Sequence, residues 1–365
     1  MIRSALRWPL IVPPVAVVEL IATWGRKPGV VLLAVLELGL IAAVIAAVHH
    51  AEVVAHRVGE PFGTLILAVA VTIIEAGLIL MLMAAGGTRS QSLARDTVFA
   101  AFMIMCNGAI GLCLFVGGLR HHTVEFRVQG VSAGLATLTA LATLALVLPS
   151  FTTATPGPGY SPAQLAFAGI ASLVLYGMFV FVQTVRHRDY FLPLVPTSDD
   201  HDDGDESGHA DPPTVAAALL SLGLLALCLV AVVGLAKSVS PGIERLVVWA
   251  GAPPTVVGLA IALLVLLPES IAAVRAAARN RVQTSLNLAV GSALASIGLT
   301  IPVVGVASIA LGWPLALGLN ATELVLLALT VVVTVLTVAP GRATLMQGTV
   351  HLVVFSAFVF LALSP

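Results

Sequence analysis

Eleven apolar runs, each near the length of a membrane crossing, constrain this chain more than any other feature. They lie near residues 8–24, 30–48, 62–85, 97–118, 131–149, 163–184, 214–236, 247–273, 285–311, 315–339 and 344–363. A bilayer core needs roughly 20 apolar residues per helix. The 365 residues are 59% hydrophobic and 10% charged, whereas soluble domains carry about 25% charge, so no soluble core could hide this much apolar surface. The expected class is therefore an all-α polytopic membrane protein of about eleven transmembrane helices. Arg3 and Arg7 ahead of the first run resemble a signal peptide, but Glu19 interrupts that run and no small-residue cleavage site follows, so a retained first helix is expected.

Basic residues set the expected orientation, because Lys and Arg flanking membrane helices are retained in the cytoplasm. With the N-terminus inside, eleven of the 17 basic residues fall on inner segments and six on outer ones. The expectation is a multi-pass protein of the bacterial inner membrane, with a cytoplasmic N-terminus and an external C-terminus. A net charge of -1 gives no basic field for nucleic acid. Cys106, Cys113 and Cys228 stand alone in apolar runs and read as packing residues.

One stretch breaks the apolar pattern. Residues 198–211 hold seven of the chain's 18 acidic residues and read as a flexible cytoplasmic linker, spanning about 199–213, between an N-terminal half (1–198) and a C-terminal half (214–365). Carboxylates suit hard cations, so a low-affinity collecting role is a second reading, although EF-hand spacing is absent.

The two halves repeat one another. The third run opens Gly59-Glu-Pro61-Phe-Gly63 and reaches Glu75; the eighth opens Gly251-Ala-Pro253 and, after Gly258, reaches Pro268-Glu269. Each is followed by a charged turn and a helix of small and amide residues, with Asn107-Gly108 in the first half and Asn287, Gly291-Ser292 and Ser296 in the second. The repeats, about 59–118 and 251–311, have opposed orientations on this topology. Inverted repeats that meet near the midplane, at helices interrupted by Gly or Pro, build the ion sites of secondary transporters. Pro268, immediately before Glu269, removes a backbone donor and frees carbonyls that can line a cation site.

Five glutamates fall within apolar runs: Glu19, Glu37, Glu75, Glu269 and Glu323. A charge inside a membrane is costly and marks function or a protonated packing contact. Glu75 and Glu269 rank first because the repeat relates them. Brought together, two carboxylates bind a divalent cation or hold protons in its absence, since burial and like charge both disfavour the ionised pair. Mutually exclusive occupancy by cation and proton is antiport chemistry. Asn107, Asn287, Ser292 and Ser296 are candidate neutral ligands, with helix-packing glue as the alternative. His50, Glu52, His56 and Glu60 cluster before the third run and, with Glu323, are candidates for a proton relay or entry; a polar juxtamembrane turn is the plain alternative for that cluster. No phosphate loop, nucleophile elbow, zinc motif or haem attachment occurs, so the expectation is a transporter without cofactor and not an enzyme. Its expected partners are lipid, the transported cations and protons; an oligomer is possible but nothing indicates one.

At these residues the chain resembles bacterial calcium/proton antiporters of the ChaA type, within the cation/Ca²⁺ exchanger superfamily. The resemblance rests on residues 50–67 with Ile74-Glu75, on Leu267-Pro-Glu269-Ser through Asn287, Gly291 and Ser292 to Pro302, and on Gly341-Arg through Gly348 and His351. It implies paired inverted repeats that each contribute a central glutamate, Glu75 and Glu269, to a transported ion. It also implies Ca²⁺ as the leading substrate, with Na⁺ or K⁺ the alternative. The chain departs from the superfamily's Gly-Asn-Ala-x-Glu form, having Val71-Thr-Ile-Ile-Glu75 and Leu266-Leu-Pro-Glu269, which leaves the neutral ligands open.

Overall fold

The computed structural model describes residues 8–25, 29–59, 62–84, 90–192, 213–249, 251, 253 and 255–364. The acidic run at 198–211 and Glu60 lie outside the described residues. The helices, in chain order, are α1 (Trp8–Thr23), α2 (Val30–Val58), α3 (Phe62–Ala84), α4 (Leu93–Met103), α5 (Ile110–His121), α6 (Val128–Ala142), α7 (Pro162–Phe181), α8 (Val215–Trp249), α9 (Thr255–Ala278), α10 (Val282–Leu311), α11 (Ala321–Val338) and α12 (Leu345–Leu363). A π-helical turn, Ile104–Ala109, joins α4 to α5 in one span. Among the described residues eleven apolar helical segments result, each falling on one of the eleven apolar runs. Among the described residues, ten are long and apolar enough to cross a membrane, and α1 is the shorter eleventh.

Apolar content explains the helices, since a backbone without water must satisfy its own polar groups. Local signals explain where three of them start. Ser161 with Gln164, Asn320 with Glu323, and Thr344 with Gln347 form capping boxes at the openings of α7, α11 and α12, each satisfying free N–H groups of a first turn. Along α7, Phe167, Ile170, Val174, Met178 and Phe181 are exposed while Leu165, Ala168, Ser172, Tyr176 and Phe179 are buried. That face suits lipid and would be untenable in water.

Loop contacts fix the alternation of the spans. A two-stranded antiparallel ribbon, β1 (Thr123–Glu125) with β2 (Arg342–Thr344), ties the turn after α5 to the turn after α11, with Glu125 opposite Arg342. Arg120 Nη1 also donates to the Ala278 carbonyl at 3.3 Å, which brings the end of α9 to the same side. At the opposite end, Ala316 N–H donates to Gln91 and Gly318 N–H to Pro158, both at 2.9 Å. The three-residue strands are the one departure from a wholly helical expectation among the described residues, and they lie in turns.

The span formed by α4 and α5 is buried along nearly its whole length. It packs on α9 and α12, and α10 packs on α3, α6, α7 and α9, while α1, α2 and α8 pack on one another. Gly118 and Gly348 allow α5 and α12 to cross closely, because a Cβ at Gly118 would strike the Leu345 backbone and one at Gly348 would strike Phe115. Cys106, Cys113 and Cys228 are buried and unpaired, as packing residues should be.

Candidate functional site

Glu75 lies midway along α3 and Glu269 midway along α9, and both are buried. Their side chains line one cavity of about 400 Å³, whose walls come from α3, α7, α9 and α10. Thr72, Asn287, Ser292 and Ser296 are among the other polar residues that line it. The cavity extends to a rim at Arg188 and Leu192, both exposed. Toward the opposite end the helices are filled by Ile79, Phe99, Phe102 and Met103, each almost fully buried.

The repeats exchange partners around this cavity. Ser296 Oγ, on the second helix of the C-terminal repeat, donates to Glu75 Oε1 of the N-terminal repeat at 2.6 Å. Thr300, one turn further along α10, is buried beside the same carboxylate. Reciprocally, Ser270 beside Glu269 reaches Met105 in the π-turn of the N-terminal repeat at 3.8 Å. Glu269 Oε2 is buried without a hydrogen-bond partner among the described residues, and the Glu52 and Glu75 carboxylates lie near enough to act on Glu269 electrostatically. A buried acceptor in that state is costly unless a proton or a cation completes it. α9 runs through Pro268 without a break; irregular geometry appears instead in the π-turn of the first repeat, a feature frequent at functional sites.

The remaining candidates separate. Ser292 and Ser296 line the cavity, and Gly291 faces open space where a Cβ would touch nothing within 4 Å. Asn287 also lines it, but its polar atoms are engaged: Nδ2 donates to the Phe191 carbonyl at 2.6 Å and Oδ1 accepts from Gln283 Nε2 at 2.9 Å. Asn107 is elsewhere. Its Nδ2 donates to Thr330 Oγ1 at 2.8 Å and its Oδ1 contacts His351 Nδ1 at 3.1 Å, joining the π-turn to α11 and α12. His50 is buried with Nε2 at 2.9 Å from the Pro9 carbonyl, which ties α2 to α1. Glu52 and His56 are exposed on α2. Glu323 caps α11 through Asn320 and lines a second, smaller pocket with Asp96, at the end away from the rim.

Sequence reasoning missed Thr72, Thr300, Gln183 and Arg188. Thr72 lies nearly one turn before Glu75 and Thr300 one turn after Ser296, so helical spacing from the chosen carboxylate and hydroxyl was the available signal. Nothing in the order of residues indicates that the 188–192 turn folds over the cavity. Asp96, in the charged stretch that follows α3, is buried in the first turn of α4 and paired with Arg95 at 2.8 Å. Among the described residues no group of three or more His, Cys, Asp and Glu is placed to hold a metal ion. A cation in the cavity would therefore rely on two carboxylates supplemented by neutral oxygens.

Comparison with known proteins gives a family and relatives. Residues 28–185 and 220–364 match the family described as sodium/calcium exchanger protein. The chain is 49% identical to y4hA of Sinorhizobium fredii, named as a candidate ionic transporter, over 92% of this chain and 89% of that one. It is 35% identical to the sodium-potassium/proton antiporter ChaA of Escherichia coli, over 96% and 94% of the two chains. Among solved structures it is similar to native YfkE, with a TM-score of 0.71 at 19% identity over 99% of both chains. It is also similar to the H⁺/Ca²⁺ exchanger CAX, with a TM-score of 0.71 at 15% identity over 98% of this chain and 88% of that one. At such identities these two likenesses speak for the fold.

Proposed function

The chain belongs to the sodium/calcium exchanger family of multi-pass membrane transporters, and from that membership we propose that it exchanges a cation for protons at Glu75 and Glu269 by alternating access. The observation that carries this reading is the shared cavity, in which carboxylates from opposed repeats face one space that leads to the exposed rim at Arg188 and Leu192. With protons bound the pair is neutral; a divalent cation is matched in charge when both protons leave, and a monovalent one when one leaves. The same groups then carry both ions, and occupancy by one excludes the other. This supports obligatory exchange without a cofactor.

Calcium is the leading substrate because two ionised carboxylates match its charge and its preference for oxygen. The sequence relationship to a sodium-potassium/proton antiporter supports a second reading, in which Na⁺ or K⁺ uses the same pair. The excess of basic residues on one set of turns supports placing the Arg188 rim, the acidic linker and the N-terminus in the cytoplasm of a bacterium, and the C-terminus outside. The rim then opens inward. Purified protein in sealed vesicles with an imposed pH gradient tests the reading. Labelled Ca²⁺, Na⁺ or K⁺ should move against its own gradient as the pH gradient collapses, and absence of coupled movement of all three would reject it.

A further inference from the structure

Among the described residues, Arg188 is the one charged side chain besides the two glutamates that lines the cavity. Its position is fixed by the turn that carries it. Arg188–Tyr190 form a 3₁₀ turn beyond α7. A relay of amides fastens this turn to α10: Arg127 N–H donates to Gln283 Oε1 at 2.7 Å, Gln283 Nε2 to Asn287 Oδ1 at 2.9 Å, and Asn287 Nδ2 to the Phe191 carbonyl at 2.6 Å. The Phe191 ring meets Phe179 of α7 edge-on, with centroids 5.9 Å apart. His187 stacks on Tyr190 at 5.0 Å, and α6 closes on the turn at Gly130, where a Cβ would strike the Tyr190 carbonyl. Arg188 is thus a cation carried to the rim by an anchored turn, and among the described residues no ion pair is found for it.

From this geometry, and resting on the antiport reading, we infer that Arg188 is a specificity-determining residue that weakens divalent relative to monovalent cations at the Glu75–Glu269 site. A fixed positive charge repels a dication twice as strongly as a monocation at the same distance. The carboxylate pair by itself favours the dication. Arg188 reduces that preference and widens the range of ions accepted, and Asn287 contributes by holding the turn in place.

The test compares wild type with Arg188→Gln, Arg188→Glu and Arg188→Lys. Two quantities are read: the apparent affinity for Ca²⁺ divided by that for Na⁺ in vesicle exchange, and Ca²⁺ displacement by Na⁺ on purified protein at equilibrium. The ratio should rise about two- to tenfold in Arg188→Gln, rise further in Arg188→Glu and stay at the wild-type level in Arg188→Lys, as expected for one unit charge acting through water and protein. Added choline chloride should shrink the difference between Arg188→Gln and wild type, because salt screens an exposed charge. An unchanged ratio in both the Gln and Glu variants, or an equal rise in the Lys variant, would overturn the inference. Equilibrium displacement judges it even if wild-type vesicles move no cation, a result that would reject the antiport reading alone.

Discussion

Ser296 donates a 2.6 Å hydrogen bond to Glu75, so a hydroxyl of the second repeat holds the carboxylate of the first. Interhelical bonds of this kind contribute about 0.6 kcal/mol on average, and up to about 2 kcal/mol in model peptides. Ser296→Ala should therefore lower thermal stability only slightly. It should raise the cation concentration for half-maximal exchange several-fold, since Glu75 loses the group that orients it. Vesicle exchange alongside thermal unfolding separates the two effects; a large stability loss with unchanged affinity would make the bond structural.

Glu75→Gln and Glu269→Gln should each abolish proton-coupled flux. Gln keeps shape and one carbonyl oxygen but lacks the charge and the exchangeable proton, and it buries no unpaired charge, so both variants should insert and fold. Gel filtration and flux on the same preparation check this. Glu323→Gln should be milder, because that side chain caps α11 away from the cavity. Near-normal exchange in either of the first two variants would dismiss the paired-carboxylate mechanism.

On the proposed mechanism cation and proton compete for the same carboxylates, and linkage between them is reciprocal. Lowering the pH on the rim side should raise the apparent KM for the cation, and saturating cation should release protons over the same pH range. Titration of purified protein with Ca²⁺ in weak buffer, followed by a pH electrode, reads the second effect directly. Ca²⁺ binding with no proton release would separate the two sites.

His351→Leu should destabilise the protein by about 1–3 kcal/mol, the usual cost of leaving a buried polar partner unsatisfied. The imidazole contacts Asn107 Oδ1 at 3.1 Å and Thr337 Oγ1 at 3.2 Å in a buried setting. His351→Gln should recover part of the loss. Thermal unfolding measures both, and the ratio of Ca²⁺ to Na⁺ affinity should remain as in wild type.

Reporter fusions or cysteine labelling should place residues 199–213 in the cytoplasm and the C-terminus outside. Replacing the seven acidic residues of 198–211 with Ser or Asn should leave transport working, with at most a weaker apparent affinity at low salt. Complete loss of flux in a normally inserted protein would make that run part of the mechanism.

Hydropathy alone determined the eleven segments, because the membrane forces each buried backbone into a helix and charges into the turns. Repetition along the chain singled out Glu75 and Glu269, since a carboxylate in an apolar run is rare enough to be seen without coordinates. Tertiary structure decided which polar side chains join them. Asn107 and Asn287 look alike in sequence, yet one ties the π-turn to α11 and α12 and the other anchors the rim turn. Ser296 reaches Glu75 only because α10 crosses α3 at that height. Arg188 is far from both glutamates along the chain, and it joins the cavity through packing among α6, α7 and α10. Local order along a helix sets which face a residue occupies; which neighbour that face meets depends on how separate spans cross, and that is a property of the packed bundle.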